Sequence, residues 1–110
     1  MKDPRFLEFI RLFNAEKFFE AHEVLEELWL ETTGSRKQFY QGLIQCAVAL
    51  AHWQRKNPKG AAQVGKRALH TLKMYDPAEE GIEVAALIRE CEAFLGEQIP
   101  TFPRILTKTD

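Results

Sequence analysis

From Asp3 onward the apolar positions of this chain recur every three or four residues, and no stretch alternates with the period of two of a half-buried strand. Asp3-Pro4 reads as a helix start, a carboxylate able to cap followed by a proline that needs no donor at the first position. Phe6, Leu7, Ile10 and Phe13 follow at helical spacing up to Asn14. A second helix is predicted from about Glu16 to Glu31. Phe18, Ala21, His22, Leu25, Leu28 and Trp29 share its inner face, while Glu20, Glu23, Glu27 and Glu31 face away. The stretch "TTGSRKQ" ends it, with Gly34 as a stop and Ser35-x-x-Gln38 as a capping box for the next helix.

The third helix, about Arg36 to Arg55, differs in kind. Phe39, Tyr40, Leu43, Ile44, Val48, Leu50 and Trp53 distribute apolar bulk nearly all round it. Such a helix is buried on several sides or covered by a partner chain, which is the basis for expecting a homodimer. Its main polar stripe is Gln41, Gln45 and His52. Asn57-Pro58 starts a fourth helix that runs to about Met74. Its inner stripe of Ala61, Gly65, Ala68 and Leu72 allows close approach to a neighbour. Asp76-Pro77 and Gly81 mark the next break. A fifth helix carries Val84, Leu87, Ile88, Cys91 and Leu95 to Gly96. The tail "IPTFPRILTKTD" reads as extended, held down through Ile99, Phe102, Ile105 and Leu106. The expectation is one all-α domain over residues 1–110: a small bundle of four main helices, a short N-terminal helix and an extended C-terminal tail.

A net charge of −1 gives no global attraction to nucleic acid or to acidic membranes, so a nucleic-acid partner is not expected. The charge is unevenly placed, however. Between Thr32 and Tyr75 there is no acidic residue, while Arg36, Lys37, Arg55, Lys56, Lys59, Lys66, Arg67 and Lys73 are basic. The plainer reading is a solvated face, and it is preferred; the sharper one is an anion-docking face along Lys59, Lys66 and Lys73. The longest uncharged run, residues 38–54, holds four glutamines and His52 and is too short and polar to span a bilayer. Cys46 and Cys91 sit among apolar residues and read as core thiols rather than a disulfide, in a reducing compartment. With no basic-then-apolar leader before residue 20, the expected location is the cytoplasm.

The candidate chemistry centres on His22-Glu23-x-x-Glu26. A zinc-protease helix needs a second histidine where Glu26 stands. A di-iron bundle needs Glu-x-x-His, but Phe19 occupies the glutamate position and the third helix has no carboxylate. If the second and third helices pack antiparallel through their polar faces, His22, Glu26, Gln45 and His52 converge. Two histidines and a carboxylate could hold a divalent metal, whose identity the residues do not specify, or a small polar ligand. The preferred alternative is a hydrogen-bonded network within the helix interface, since buried polar groups must be paired in any case. Ser35 is assigned to the cap and Cys46 to the core, so no nucleophile pairs with a base.

Three blocks, "FFEAHEVLEELW", "QGLIQCAVALAHW" and "NPKGA", stand in the same order as in a bacterial and archaeal family known as domain of unknown function 309, which the chain resembles from about Phe13 to Leu72. Ala21-His22-Glu23-x-Leu25-Glu26-x-x-Trp29 is the specific part. Gly42-Leu43-Ile44-Gln45 and Asn57-x-x-Gly60-Ala61 support it, and Ala15 stands where the family tolerates glycine. The resemblance implies a small all-helical fold with no assigned activity. It singles out His22, Glu23, Glu26, Trp29, Gln45 and His52, to which the stripe on the third helix adds Gln41. The expected function is a small helical binding or interaction domain without catalytic activity or cofactor. The alternative is a metal- or small-ligand pocket, with or without enzymatic activity, formed by His22, Glu26, Gln45 and His52.

Overall fold

Five helices follow one another in the described residues of the computed structural model, 3–75, 78–96 and 101–107. They are α1 (Pro4–Asn14), α2 (Phe18–Leu30), α3 (Gly34–Gln54), α4 (Pro58–Leu72), continued by a 3₁₀ turn (Lys73–Tyr75), and α5 (Val84–Leu95). Among these residues no strand forms; Ile82 makes isolated bridges to Glu79 and Thr107. No described helix is long and apolar enough to cross a membrane. The predicted break at Asp76-Pro77 and the anchor Ile99 lie outside the described residues.

The caps follow the sequence at two of three sites. Asp3 Oδ1 accepts from the Arg5 amide at 2.8 Å, and Asn57 Oδ1 accepts from the Gly60 amide at 3.1 Å. The predicted capping box at Ser35 does not form: α3 begins two residues earlier than expected, at Gly34 rather than Arg36, and its cap residue Thr33 makes no side-chain bond. Ser35 instead meets the 3₁₀ turn after α4, its carbonyl accepting from the Tyr75 hydroxyl at 2.8 Å. The start of α2 also moves, from Glu16 to Phe18, because Glu16 takes a left-handed conformation with φ of 63°. Lys56 does the same at the end of α3, with φ of 62°. There the Asn57 amide returns to the His52 carbonyl and the Lys56 amide to that of Trp53, satisfying carbonyls the helix end leaves open. The Gln54 side chain joins the two turns by donating to the Glu16 carbonyl at 2.8 Å.

α3 is the central helix, packed against α2 on one side and α4 on the other. Small residues set the second contact. A Cβ on Gly42 would lie 3.0 Å from Thr71, and one on Gly65 would lie 3.7 Å from Ala49 and 2.5 Å from Leu95 on α5. These pairs place α3 and α4 antiparallel. Of the apolar residues around α3, Phe39, Tyr40, Leu43 and Leu50 are buried by the chain's own helices, while Ile44, Val48 and Trp53 are half-buried. Cys46 and Cys91 join α3 to α5 as free, buried thiols with Sγ atoms 3.2 Å apart. The hydrogen bond to Cys46, and then burial, hold the Cys91 thiol well above the ordinary range.

The tail closes the opposite end. Asn14 clamps Ile105 on both backbone groups, donating to its carbonyl at 3.0 Å and accepting from its amide at 2.7 Å. Phe102 then lays its ring against Phe18 and Phe94, with centroids at 5.2 and 4.8 Å. Of the predicted anchors, Phe102 is half-buried, Ile105 is buried and Leu106 is exposed. At the surface, Arg5 ties the start of α1 to the end of α2 by a two-point bond to Glu31, at 2.8 and 2.9 Å. The bonds from Arg5 hold the Asp3 and Glu31 carboxyls below their ordinary range. A depressed carboxyl stabilises the fold above its unfolded pKa, and that contribution is lost as pH falls through the folded one. Both groups are solvent-screened, so the effect is small.

Candidate functional site

Gln41, Gln45, Val48 and His52 follow one another about one turn apart along the side of α3 between its two flanking helices. Two openings lie along it. The first, a cleft of about 180 Å³ between α2 and α3, is lined by Phe19 and His22 from α2 and by Val48, Ala51, His52 and Arg55 from α3. The second is a groove of about 710 Å³ between α3 and α4, where Gln45 faces Gln63, Lys66, Arg67, His70 and Thr71. The structure therefore brings His22 and His52 to one cleft and places Gln45 in the other opening. The four-residue convergence of the sequence reading is divided, because α4 rather than α2 flanks Gln45.

The remaining candidates stand apart. Glu23, Glu26 and Gln41 are exposed, and Glu26 makes no hydrogen bond or ion pair among the described residues. Trp29 is half-buried with its Nε1 buried and unbonded, and the Lys37 ammonium lies 4.4 Å from its ring centroid. The expected network between His22 and Glu26 is thus replaced by a local bond: His22 Nδ1 donates to the Phe19 carbonyl at 2.6 Å. Glu26→Gln is accordingly expected to change stability by no more than about 0.5 kcal/mol in urea denaturation. A loss above about 1 kcal/mol would restore the network.

The two histidines are held in opposite tautomers. A carbonyl only accepts, so the His22 bond to Phe19 puts the hydrogen on Nδ1 and leaves Nε2 of the neutral ring as an acceptor. His52 is set by Asn57. The cap bond from Gly60 fixes the Asn57 oxygen, so its amide nitrogen, 3.3 Å from His52 Nδ1, must donate there. His52 then carries its hydrogen on Nε2. Gly60 makes this possible, since a Cβ there would stand 2.5 Å from the Asn57 amide nitrogen. A metal bridging both rings would need His52 to surrender that Nε2 hydrogen, and His52 Nδ1–H would then oppose the Asn57 donor. Among the described residues, no group of three or more His, Cys, Asp or Glu is placed to hold a metal ion.

Sequence reasoning missed Arg55, whose guanidinium lies 4.6 Å from the Phe19 ring centroid. The signal was present: Val48, Ala51, His52 and Arg55 have the i, i+3, i+4, i+7 spacing of one helix face. His70 and Arg67 were missed because nothing local assigns one face of α4 to a groove. A third depression, about 1060 Å³ and lined by Asp3, Glu31, Arg36, Tyr40 and Glu80 among others, is a weaker candidate. Its charges already answer one another, Arg5 with Asp3 and Glu31, and Arg36 with Glu80 at 3.1 Å.

Comparison with known proteins places this geometry in a family. The chain is 34% identical over 105 residues to a Bacillus subtilis (strain 168) protein named uncharacterized protein YpuF, covering 92% of this chain and 60% of the relative. It is 36% identical over 84 residues to an uncharacterized protein of Aquifex aeolicus (strain VF5), covering 76% of this chain and 25% of the relative. The chain thus spans 60% and 25% of the lengths of these two relatives. The model of one family matches residues 6–64, which hold α1, α2, α3, the Asn57–Gly60 cap and the start of α4. With more than half of its length matched, the chain belongs to the family described as domain of unknown function (DUF309).

Proposed function

We propose that this domain is a binding module, not an enzyme, and that it docks an acidic protein segment in the groove between α3 and α4. The carrying observation is the state of the cations there. Lys66 and Arg67 line the groove beside His70 and have no carboxylate partner among the described residues. Among the described residues Arg5, Arg11, Arg36 and Lys73 are paired with carboxylates, and Lys37 and Arg55 lie over aromatic rings. Lys17, Lys56, Lys59, Arg89 and Arg104 also lack a carboxylate partner among them, but Lys66 and Arg67 are the two that stand together in this groove. Lys73 is held by Glu92 at 3.1 Å, so the docking face is not the full heptad stripe of Lys59, Lys66 and Lys73.

Gln45 favours a peptide over a nucleic acid as the occupant. The Gln45 side-chain amide lines the groove with Gln63, and such amides pair with the N–H and C=O groups of a peptide backbone, whose N–H donors a phosphodiester backbone lacks. The longer relatives support a modular role, since the chain's match accounts for only part of each. Ile44, Val48 and Trp53 of α3 stay half-buried, which is the apolar surface a homodimer would use. Paired buried thiols suit a reducing, cytoplasmic setting.

A fluorescein-labelled oligo-glutamate peptide, followed by anisotropy, tests the reading. The wild type should bind it with an affinity that falls as salt is raised. Charge reversal at both cations, Lys66→Glu with Arg67→Glu, should weaken binding by about 100-fold, roughly 2.7 kcal/mol, at an unchanged melting temperature. Equal binding by the two proteins, or binding of a single-stranded oligonucleotide in place of the peptide, would reject it.

A further inference from the structure

The cleft between α2 and α3 presents a set of groups different from the α4 groove. His52 offers an Nε2–H donor, His22 an Nε2 acceptor and Arg55 a cation, and all three line the same small opening. Arg55 has no carboxylate partner among the described residues; the nearby Phe19 ring engages its charge and leaves its N–H donors available. The rest of the lining, Val48 and Ala51, is apolar.

We infer that this cleft is a binding site for a small carboxylate that also carries a hydroxyl group. The carboxylate is received by the Arg55 guanidinium and the His52 Nε2–H, and the hydroxyl donates to His22 Nε2. A simple anion would leave the His22 acceptor without a donor, whereas a hydroxy acid answers all three groups. The size agrees. A volume of about 180 Å³ equals that of about six waters at roughly 30 Å³ each, which suits a ligand of a few carbons. Its carbon skeleton lies against Phe19, Val48 and Ala51. Asn57 is a positioning residue in this scheme: it touches no ligand but, by donating to His52 Nδ1, keeps the His52 hydrogen on Nε2. The site stands on residues other than those of the α3–α4 groove, so either can fail without the other.

Long-range proton–nitrogen NMR of the full chain at about pH 8, with 2-hydroxypropionate as the probe, tests it. The free protein should show His22 as the Nδ1–H tautomer and His52 as the Nε2–H tautomer. Titration should shift both rings and the Arg55 side chain saturably, and propionate, which lacks the hydroxyl, should bind several-fold more weakly. Arg55→Gln should weaken binding about tenfold. Asn57→Ser keeps a hydroxyl cap for α4, so its melting temperature should hold while the His52 tautomers mix and binding falls. The inference is overturned by a reversed His52 tautomer in the wild type or by unsaturable shifts. Propionate binding equal to that of the hydroxy acid, or an Arg55→Gln titration equal to wild type, overturns it as well.

Discussion

Replacing Phe18 with alanine is expected to cost about 3–5 kcal/mol in urea denaturation followed by circular dichroism. Phe18 is fully buried at the first turn of α2, where three parts of the chain meet. Its ring stands edge-on to Phe13 of α1, with centroids 5.0 Å apart, and to Phe102 of the tail at 5.2 Å. Alanine removes the buried ring area and leaves a cavity that the rigid helix ends cannot collapse around. In a domain whose total stability is on the order of 5–15 kcal/mol, that is from about a fifth of the margin to all of it. The adjacent Phe19 supplies the control. It is 40% exposed, with Arg55 over its face, and Phe19→Ala should cost about 1 kcal/mol or less. A Phe18→Ala loss no larger than that of Phe19→Ala would mean that the tail does not close this end of the core.

The second large effect is expected at Gly65, where α4 comes closest to its neighbours. A Cβ there would lie 2.5 Å from the tip of Leu95 and 3.7 Å from the Ala49 Cβ. Leu95 can swing its methyl aside, and alanine gains about 1 kcal/mol of helix propensity over glycine, so Gly65→Ala should stay within about 1 kcal/mol of wild type. Valine adds two further methyls and a stiff branch at the same point. Gly65→Val should therefore cost about 1–3 kcal/mol, by pushing α4 off α3 or α5 off α4. The melting temperature of both variants, measured side by side, checks it. A valine variant as stable as the alanine one would show that the helices are not in close contact at this position.

The helices were legible because an amphipathic stripe declares itself locally. Phe18, Ala21, Leu25 and Leu28 lie on the face the period assigns them, and all four are buried. Caps were legible only where the side chain had no better partner. Asp3 and Asn57 bond the amides their positions predict, while the Ser35 hydroxyl lies 3.3 Å from that of Tyr75, 40 residues away. The left-handed turns at Glu16 and Lys56 were invisible, since neither residue type favours that conformation. They are supported by contacts across the fold, among them the bond of Gln54 to the Glu16 carbonyl.

The candidate site divides along the same line. Residue types and helical spacing identified His22 and His52 as polar groups on facing helices, and the structure puts both in one cleft. Spacing could not say which helix flanks Gln45, because a stripe on α3 has two sides and the sequence does not order its neighbours. Nor could it assign the histidine hydrogens, which depend on a carbonyl three residues back and an amide five residues on.

By itself, then, the sequence determined the all-helical class, the five helices and most of the residues they turn inward, because these follow from side-chain period and local backbone chemistry. On α1 the face is rotated from the expected one, with Phe9 and Leu12 buried and Leu7 exposed, because packing against α2 sets it. The tertiary structure alone decided which polar residues meet, which cations lack a carboxylate and which imidazole nitrogen donates. Those outcomes are set by packing between segments far apart in the chain. Gly42 and Gly65 bring α4 against α3, and the two left-handed turns fix where α2 and α3 end. Only that arrangement leaves His22, His52 and Arg55 facing a common opening.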